Sequence, residues 1–257
     1  MHGGPGAPGS AAGLARALGE WFHVFEPFQR GSGDVPLTVT RHVEDLATFL
    51  DARIDGRDAL IVGHSWGAML TLAFAAAHPE RATGLVLIGC GTFDVDARRR
   101  LEETRMGRLS SAQRDRLSAI AAEISDPNER MRAIAQVFQT ADSVDPIEEM
   151  ADELRAIAPD MLACEQTWND VVARQSRGED PDSFVAIRRP VLMIHGADDP
   201  HPGAMIADGL RNRMPQLEYR ELPRCGHTPW FERAARDEFF SILTAWIDQT
   251  LPREGTS

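Results

Sequence analysis

The run Gly63-His64-Ser65-Trp66-Gly67 sets a serine between two glycines at G-x-S-x-G spacing. Such a serine can attack a carbonyl carbon only if the backbone turns sharply around it and lifts its hydroxyl clear of the chain. The flanking sequence predicts that turn. Residues 59–62 are a short apolar run of the kind that forms a buried parallel strand. Residues 68–78 are a strongly apolar helical stretch stopped by Pro79. A strand entering a helix through a glycine-flanked serine raises that serine above the sheet edge, and the helix N-terminus behind it favours developing negative charge.

A serine hydroxyl needs a base, and His227 is the candidate. It lies in Cys225-Gly226-His227-Thr228-Pro229-Trp230, a loop after the last predicted strand, between a glycine and a proline turn. Core packing explains a histidine there poorly. His64 is adjacent to Ser65, but neighbours in such an elbow point apart. His195 ends a predicted strand and reads as structural, His201 can line the pocket, and His42 has no comparable setting. The base needs an orienting carboxylate, and Gly196-Ala197-Asp198-Asp199-Pro200 follows a predicted parallel strand, at the end where ligand-facing groups collect. Of the two acids, Asp199 fits a G-x-x-D-P pattern, which leaves Asp198 to cap or solvate the turn. The chain order Ser65, Asp199, His227 is nucleophile, acid, base.

Developing charge on the substrate oxygen needs two donors. The expected pair is the backbone N–H of Trp66 and that of Gly4, in the glycine-rich run His2-Gly3-Gly4-Pro5-Gly6. With these parts, His227 takes the Ser65 proton during attack, an acyl-enzyme forms, and water activated by the same histidine releases it. No metal or other cofactor is implied, because no HExxH and no His/Asp/Glu set at ligand spacing occurs in the sequence.

These groups need a scaffold to hold them. Helices are expected over residues 10–18 and 40–53, the latter with Val43, Leu46, Ala47 and Leu50 on one face. Strands are expected over 21–25, 59–62 and 85–88; the last two, with the helix between them, make a right-handed βαβ unit. Composition then changes. From Asp94 to Ser183 the chain reads as helical and charged, without a strand. Strands resume at 190–194 and 217–222, with helices over 203–213 and 233–250. The expected architecture is α/β: core residues 1–93 and 186–257, interrupted by a helical cap over 94–185.

The 257 residues are 43% hydrophobic and 26% charged, with a formal net charge of −12. That balance argues against a nucleic-acid partner, which wants a basic face. It fits solubility, or an acidic entrance for a cationic substrate. Nothing approaches the roughly 18 consecutive apolar residues of a membrane span. Three scattered cysteines, Cys90, Cys164 and Cys225, suggest a reducing compartment, and the start of the chain lacks a secretory pattern, so the cytoplasm is the expected location.

Taken together, HGGPG at 2–6, QRGSG at 29–33, HSWG at 64–67, Ala76-Ala77-His78-Pro79-Glu80-Arg81 and Gly226-His227 with Glu232 beyond resemble the α/β-hydrolase superfamily. More narrowly they resemble its proline-iminopeptidase-like branch, although the elbow reads GHSWG where that peptidase would have GGSWG. The resemblance implies a mostly parallel sheet with an inserted helical cap. It also implies a serine hydrolase acting on a small ester, amide or short peptide, including an N-terminal prolyl peptide. A carboxylesterase without peptidase activity and a non-catalytic member of the fold are the alternatives. In proline iminopeptidases, acidic cap residues hold the substrate's free amino group; Glu165 is the possible counterpart, with Trp168 and Trp230 as further substrate-binding candidates. In this fold the HG motif follows the third strand, but here Met1 immediately precedes it. The expectation is therefore a shortened version of a longer chain, with N-terminal strands missing and a sheet incomplete or repaired near residues 1–6.

Overall fold

Four segments pair in parallel and in chain order: β1 (Ala59–His64), β2 (Ala82–Ile88), β3 (Val191–Gly196) and β4 (Leu217–Leu222). The computed structural model describes residues 1–54 and 59–251. Ahead of the sheet come α1 (Ala12–Leu18) and α2 (Val39–Ile54). Parallel neighbours need a crossover between them. Helix α3 (Trp66–Ala77) makes the first. The second is α4 (Val95–Arg108), α5 (Ser111–Glu123), α6 (Pro127–Asp142), α7 (Glu149–Ala156), α8 (Met161–Ser176) and the short α9 (Glu179–Asp182), with no strand among the described residues. The third is α10 (Gly203–Arg211), and α11 (Arg236–Thr250) closes the chain.

The inner strands are apolar on both faces because helices cover both. Leu85, Leu87 and Met193 pack with α2, α3 and α10 on one side. Val86, Ile88, Leu192 and Ile194 pack with α1 and α11 on the other. Successive side chains of a strand point to opposite faces, so an unbroken apolar run is what a doubly covered strand requires. Helix α3 lies under this layer, with Ala68, Leu70, Leu72 and Phe74 fully buried.

The expected strand over residues 21–25 does not form. A strand exists only through hydrogen bonds to a neighbour, and β1 does not reach this segment. Between them runs an apolar cavity of about 460 Å³, lined by Leu14, Leu18, Phe22, Val24, Leu60 and Val62 among others. The Met1 amino group donates to the Val62 carbonyl, and His64 N–H donates to the Met1 carbonyl at 3.1 Å. One residue thus occupies a ladder position on the open edge of β1. By the alternation of a parallel strand, the Leu60 N–H and C=O face the cavity beyond it. The sheet is incomplete beside residues 1–6, as the sequence led us to expect.

Packing on β1 is therefore looser than on β2. Leu87→Ala, in the fully buried strand, should cost about 2–5 kcal/mol in urea unfolding, and Leu60→Ala, beside the cavity, less than half as much. Equal losses would show that the cavity is closed in solution.

Candidate active site

Ser65 sits at the junction of β1 and α3 with φ 55° and ψ −120°, a left-handed backbone that costs a non-glycine residue about 1–3 kcal/mol. Its surroundings hold it there. Ser65 N–H donates to Ile88 C=O of β2 at 2.9 Å. A Cβ at position 63 would lie 2.3 Å from Gly67 O, and one at position 67 would lie 2.4 Å from Met1 O. Both flanking glycines are thus fixed by close backbone approach, the reason for which the G-x-S-x-G spacing is needed.

His227 and Asp199 meet across two loops, with His227 Nδ1 2.7 Å from Asp199 Oδ2. Asp199 follows β3 and is buried. Its carboxylate faces four donors, two on each oxygen. Oδ1 is met by the His201 backbone N–H at 2.9 Å and His201 Nδ1 at 2.8 Å. Oδ2 is met by His227 Nδ1 and, at 3.1 Å, by His195 Nε2. Burial alone would raise the Asp199 pKa, but the three histidines hold it well below the usual carboxylate range. Burial would likewise lower His227; the Asp199 charge and hydrogen bond reverse this and raise it above its ordinary value. Asp198 is half-buried and offers its carbonyl to Arg108, and it is Asp199 that meets His227.

The His227 loop is tied to the cap. His227 N–H donates to Asp142 C=O at 2.7 Å, and Arg105 grips the Asp142 carboxylate. The buried Glu232 carboxylate accepts from Gly226, Val144 and Asp145 N–H at 3.2, 3.0 and 2.8 Å. His64 Nε2 lies 3.0 Å from His227 C=O. Burial pushes His64 well below its ordinary pKa, so it stays neutral and donates. His195 and His64 were set aside by the sequence reading, yet His195 touches Asp199 and His64 touches His227. Their signal was only that they end strands β3 and β1, at the carboxyl edge of the sheet.

The glycine-rich loop abuts the serine. A Cβ on Gly3 would lie 3.3 Å from Ser65 Cβ. Gly3 N–H is taken by Ser10 Oγ at 3.2 Å, whereas the N–H groups of Gly4 and Trp66 have no protein acceptor among the described residues. Gln29 knits loop to elbow: its N–H donates to His2 Nε2, its side chain donates to His2 C=O, and its Oε1 accepts from Trp66 Nε1 at 2.7 Å. Burial lowers His2 to about 4, consistent with a neutral acceptor nitrogen. Helix α8 rests on this loop, with Asp160 N–H donating to Gly6 C=O at 2.8 Å.

Ser65 Oγ and His227 Nε2 do not hydrogen-bond to each other here. The His227 side chain is 11% exposed, so its outward nitrogen is reachable. Of the substrate-binding candidates, Glu165 is exposed on α8 and Trp168 is half-buried against the Arg98 guanidinium, 5.7 Å away. Trp230 is 1% exposed, with its ring edge-on to His64. The sequence showed no metal-ligand spacing, yet folding brings Asp199, His201 and His227 ligand atoms within 4.8 Å of one another.

The model of the alpha/beta hydrolase family matches residues 1–241. The chain belongs to that family. Among curated relatives, a 2-hydroxy-6-oxononadienedioate/2-hydroxy-6-oxononatrienedioate hydrolase of Burkholderia vietnamiensis is 28% identical over 74% of this chain and 63% of its own length. A pimeloyl-[acyl-carrier protein] methyl ester esterase of Nitrosomonas europaea is 21% identical over 95% of this chain and 93% of its own. A proline iminopeptidase of Arabidopsis thaliana is 33% identical over only 35% of this chain and 25% of its own. The chain spans 32% of the first curated relative, a cis-3-alkyl-4-alkyloxetan-2-one decarboxylase of Shewanella oneidensis, and just under two thirds of the second. The crystal structure of VinJ superposes with a TM-score of 0.72 at 19% identity, covering 98% of this chain and 89% of that one.

The buried Glu232 carboxylate satisfies three backbone donors, one of them, Gly226 N–H, itself buried. Glu232→Ala should lower stability by about 1–3 kcal/mol, the cost of stranding the buried Gly226 N–H, with water able to reach the Val144 and Asp145 N–H groups. Denaturant unfolding measures this; a loss under about 1 kcal/mol would mean that water replaces the carboxylate.

Proposed function

We propose that this protein is a serine hydrolase that cleaves a small carboxylic ester or amide through an acyl-enzyme on Ser65. The observation that carries the reading is the His227 Nδ1–Asp199 Oδ2 hydrogen bond of 2.7 Å beside a serine held at φ 55°. In this reading Asp199 fixes the tautomer of His227, with Nδ1 protonated and Nε2 free to accept. His227 Nε2 takes the Ser65 Oγ proton as Oγ bonds to the carbonyl carbon. The carbonyl oxygen becomes an oxyanion facing the N–H groups of Gly4 and Trp66, which have no protein acceptor among the described residues. The tetrahedral intermediate collapses, the carbon–leaving-group bond breaks, and the leaving group carries away the His227 proton. Water then gives a proton to His227, attacks the acyl carbon and releases the acid, and the proton returns to Ser65. The Ser65–His227 hydrogen bond forms as substrate binds, since such contacts tighten in the Michaelis complex.

An ester or simple amide is favoured over an N-terminal prolyl peptide. A peptidase of that kind needs acids to bind a free amine, and the candidate Glu165 lies exposed on α8. The full-length likeness to a methyl ester esterase points the same way, whereas the iminopeptidase likeness covers about a third of the chain.

Fluorophosphonate should label the wild type and not Ser65→Ala; equal labelling of both removes Ser65 as nucleophile. Short acyl esters should turn over faster than prolyl anilides, and the reverse ranking would restore the peptidase. The pH profile is also fixed in sign. Only neutral His227 accepts a proton, and its pKa is raised by Asp199. Activity should therefore rise with pH through a midpoint above the ordinary 6.5 of histidine; a midpoint below it would contradict the buried ion pair.

A further inference from the structure

His201 is the residue at this site that the proposed reaction does not use, yet it makes two of the four contacts to Asp199. It lies between Pro200 and Pro202, whose rings restrict the backbone on either side. Its own N–H closes an Asp turn onto Oδ1 of the acid two residues back, at 2.9 Å. The ring Nδ1 meets the same oxygen at 2.8 Å, and His195 Nε2 lies 3.1 Å from the His201 carbonyl. The ring also stacks on that of His227, with centroids 4.4 Å apart and planes 14° from parallel.

Two readings of this cluster compete. A metal bound by Asp199, His201 and His227 would need the two Nδ1 lone pairs to converge on one point. Nearly parallel rings send them side by side instead, each towards a different carboxylate oxygen. That is the geometry of a hydrogen-bond clamp.

We propose that His201 is a positioning residue that holds Asp199 by Oδ1, so that Oδ2 stays aimed at His227. The inference rests on the triad reading above. Without the ring donor, Oδ1 keeps only the His201 backbone N–H, and the carboxylate is freer to turn about its Cβ–Cγ bond away from His227 Nδ1. The clamp must also stay uncharged, because His227 becomes an imidazolium 4.4 Å away during turnover. Burial pushes His201 down to about 4, which keeps it neutral where His227 works. The groups facing this pair are Asp199, His195, His64, Arg105 and Asp142.

Three substitutions separate the donor from the ring. His201→Asn places an amide N–H where Nδ1 lies and removes the ring. His201→Phe keeps a flat ring without a donor, and His201→Leu keeps bulk with neither. His201→Phe and His201→Leu should lower kcat on the order of 10²-fold, as misplaced catalytic groups do, with KM little changed. Their acidic limb should move to higher pH, because Asp199, short of one donor, pulls harder on the His227 proton. His201→Asn should recover most of kcat and the wild-type limb. Circular dichroism and Tm confirm folding, and the variant that folds of the Phe and Leu pair carries the test. Wild-type kcat and limb in those variants, or equal impairment of His201→Asn, would overturn the clamp. Failure of fluorophosphonate to label the wild type would instead defeat the serine-hydrolase reading on which the clamp rests.

Discussion

A fully buried carboxylate is expensive unless its charge is answered, and Asp199 is answered from four directions. Much of the site follows from that constraint. Three histidines from the ends of β3 and from two loops must converge on one acid. The strand that carries His195 and the loop that carries His227 must therefore be in register. The same contacts set the ionisation of both partners in opposite directions, acid down and base up. Two titratable groups pushed apart by one shared environment are the physical signature of an acid–base pair.

Holding that convergence falls to the inserted helices as much as to the sheet. Asp142 at the end of α6 receives the His227 N–H, and Glu232 binds the turn after α6 to the His227 loop. Helix α8 presses on the glycine-rich loop that faces Ser65. The inserted helices thus brace both the His227 loop and the glycine-rich loop.

The open edge of β1 is the other structural feature of consequence. Met1 contributes one ladder position, and it does so directly beside the elbow: its carbonyl takes the His64 N–H and lies where a side chain on Gly67 would have to sit. The glycine-rich loop is therefore anchored at the end that matters for Ser65, while the cavity lies further down the strand along Leu60 and Val62. The chemistry and the unfilled edge share a strand but not the same end of it.

The sequence by itself determined the elements whose signals are local. Apolar runs and glycine spacing located β1, α3 and the serine between them, and α/β alternation with a helical interruption was readable from composition. The residues proposed as the triad were legible as candidates because each follows a strand, in the order Ser65, Asp199, His227. Residues 21–25 misled because an apolar, aromatic run reports a preference for strand, whereas a strand forms only if a partner lies within hydrogen-bonding reach. The G-x-x-D-P pattern already favoured Asp199 over Asp198; the tertiary structure added that Asp199 is buried against His227 and Asp198 is half-buried. It alone gave His195, His201, Gln29 and Glu232 their places at the site. Their partners lie on other segments or depend on a turn closing, and such contacts depend on distances through space that spacing along a chain does not encode.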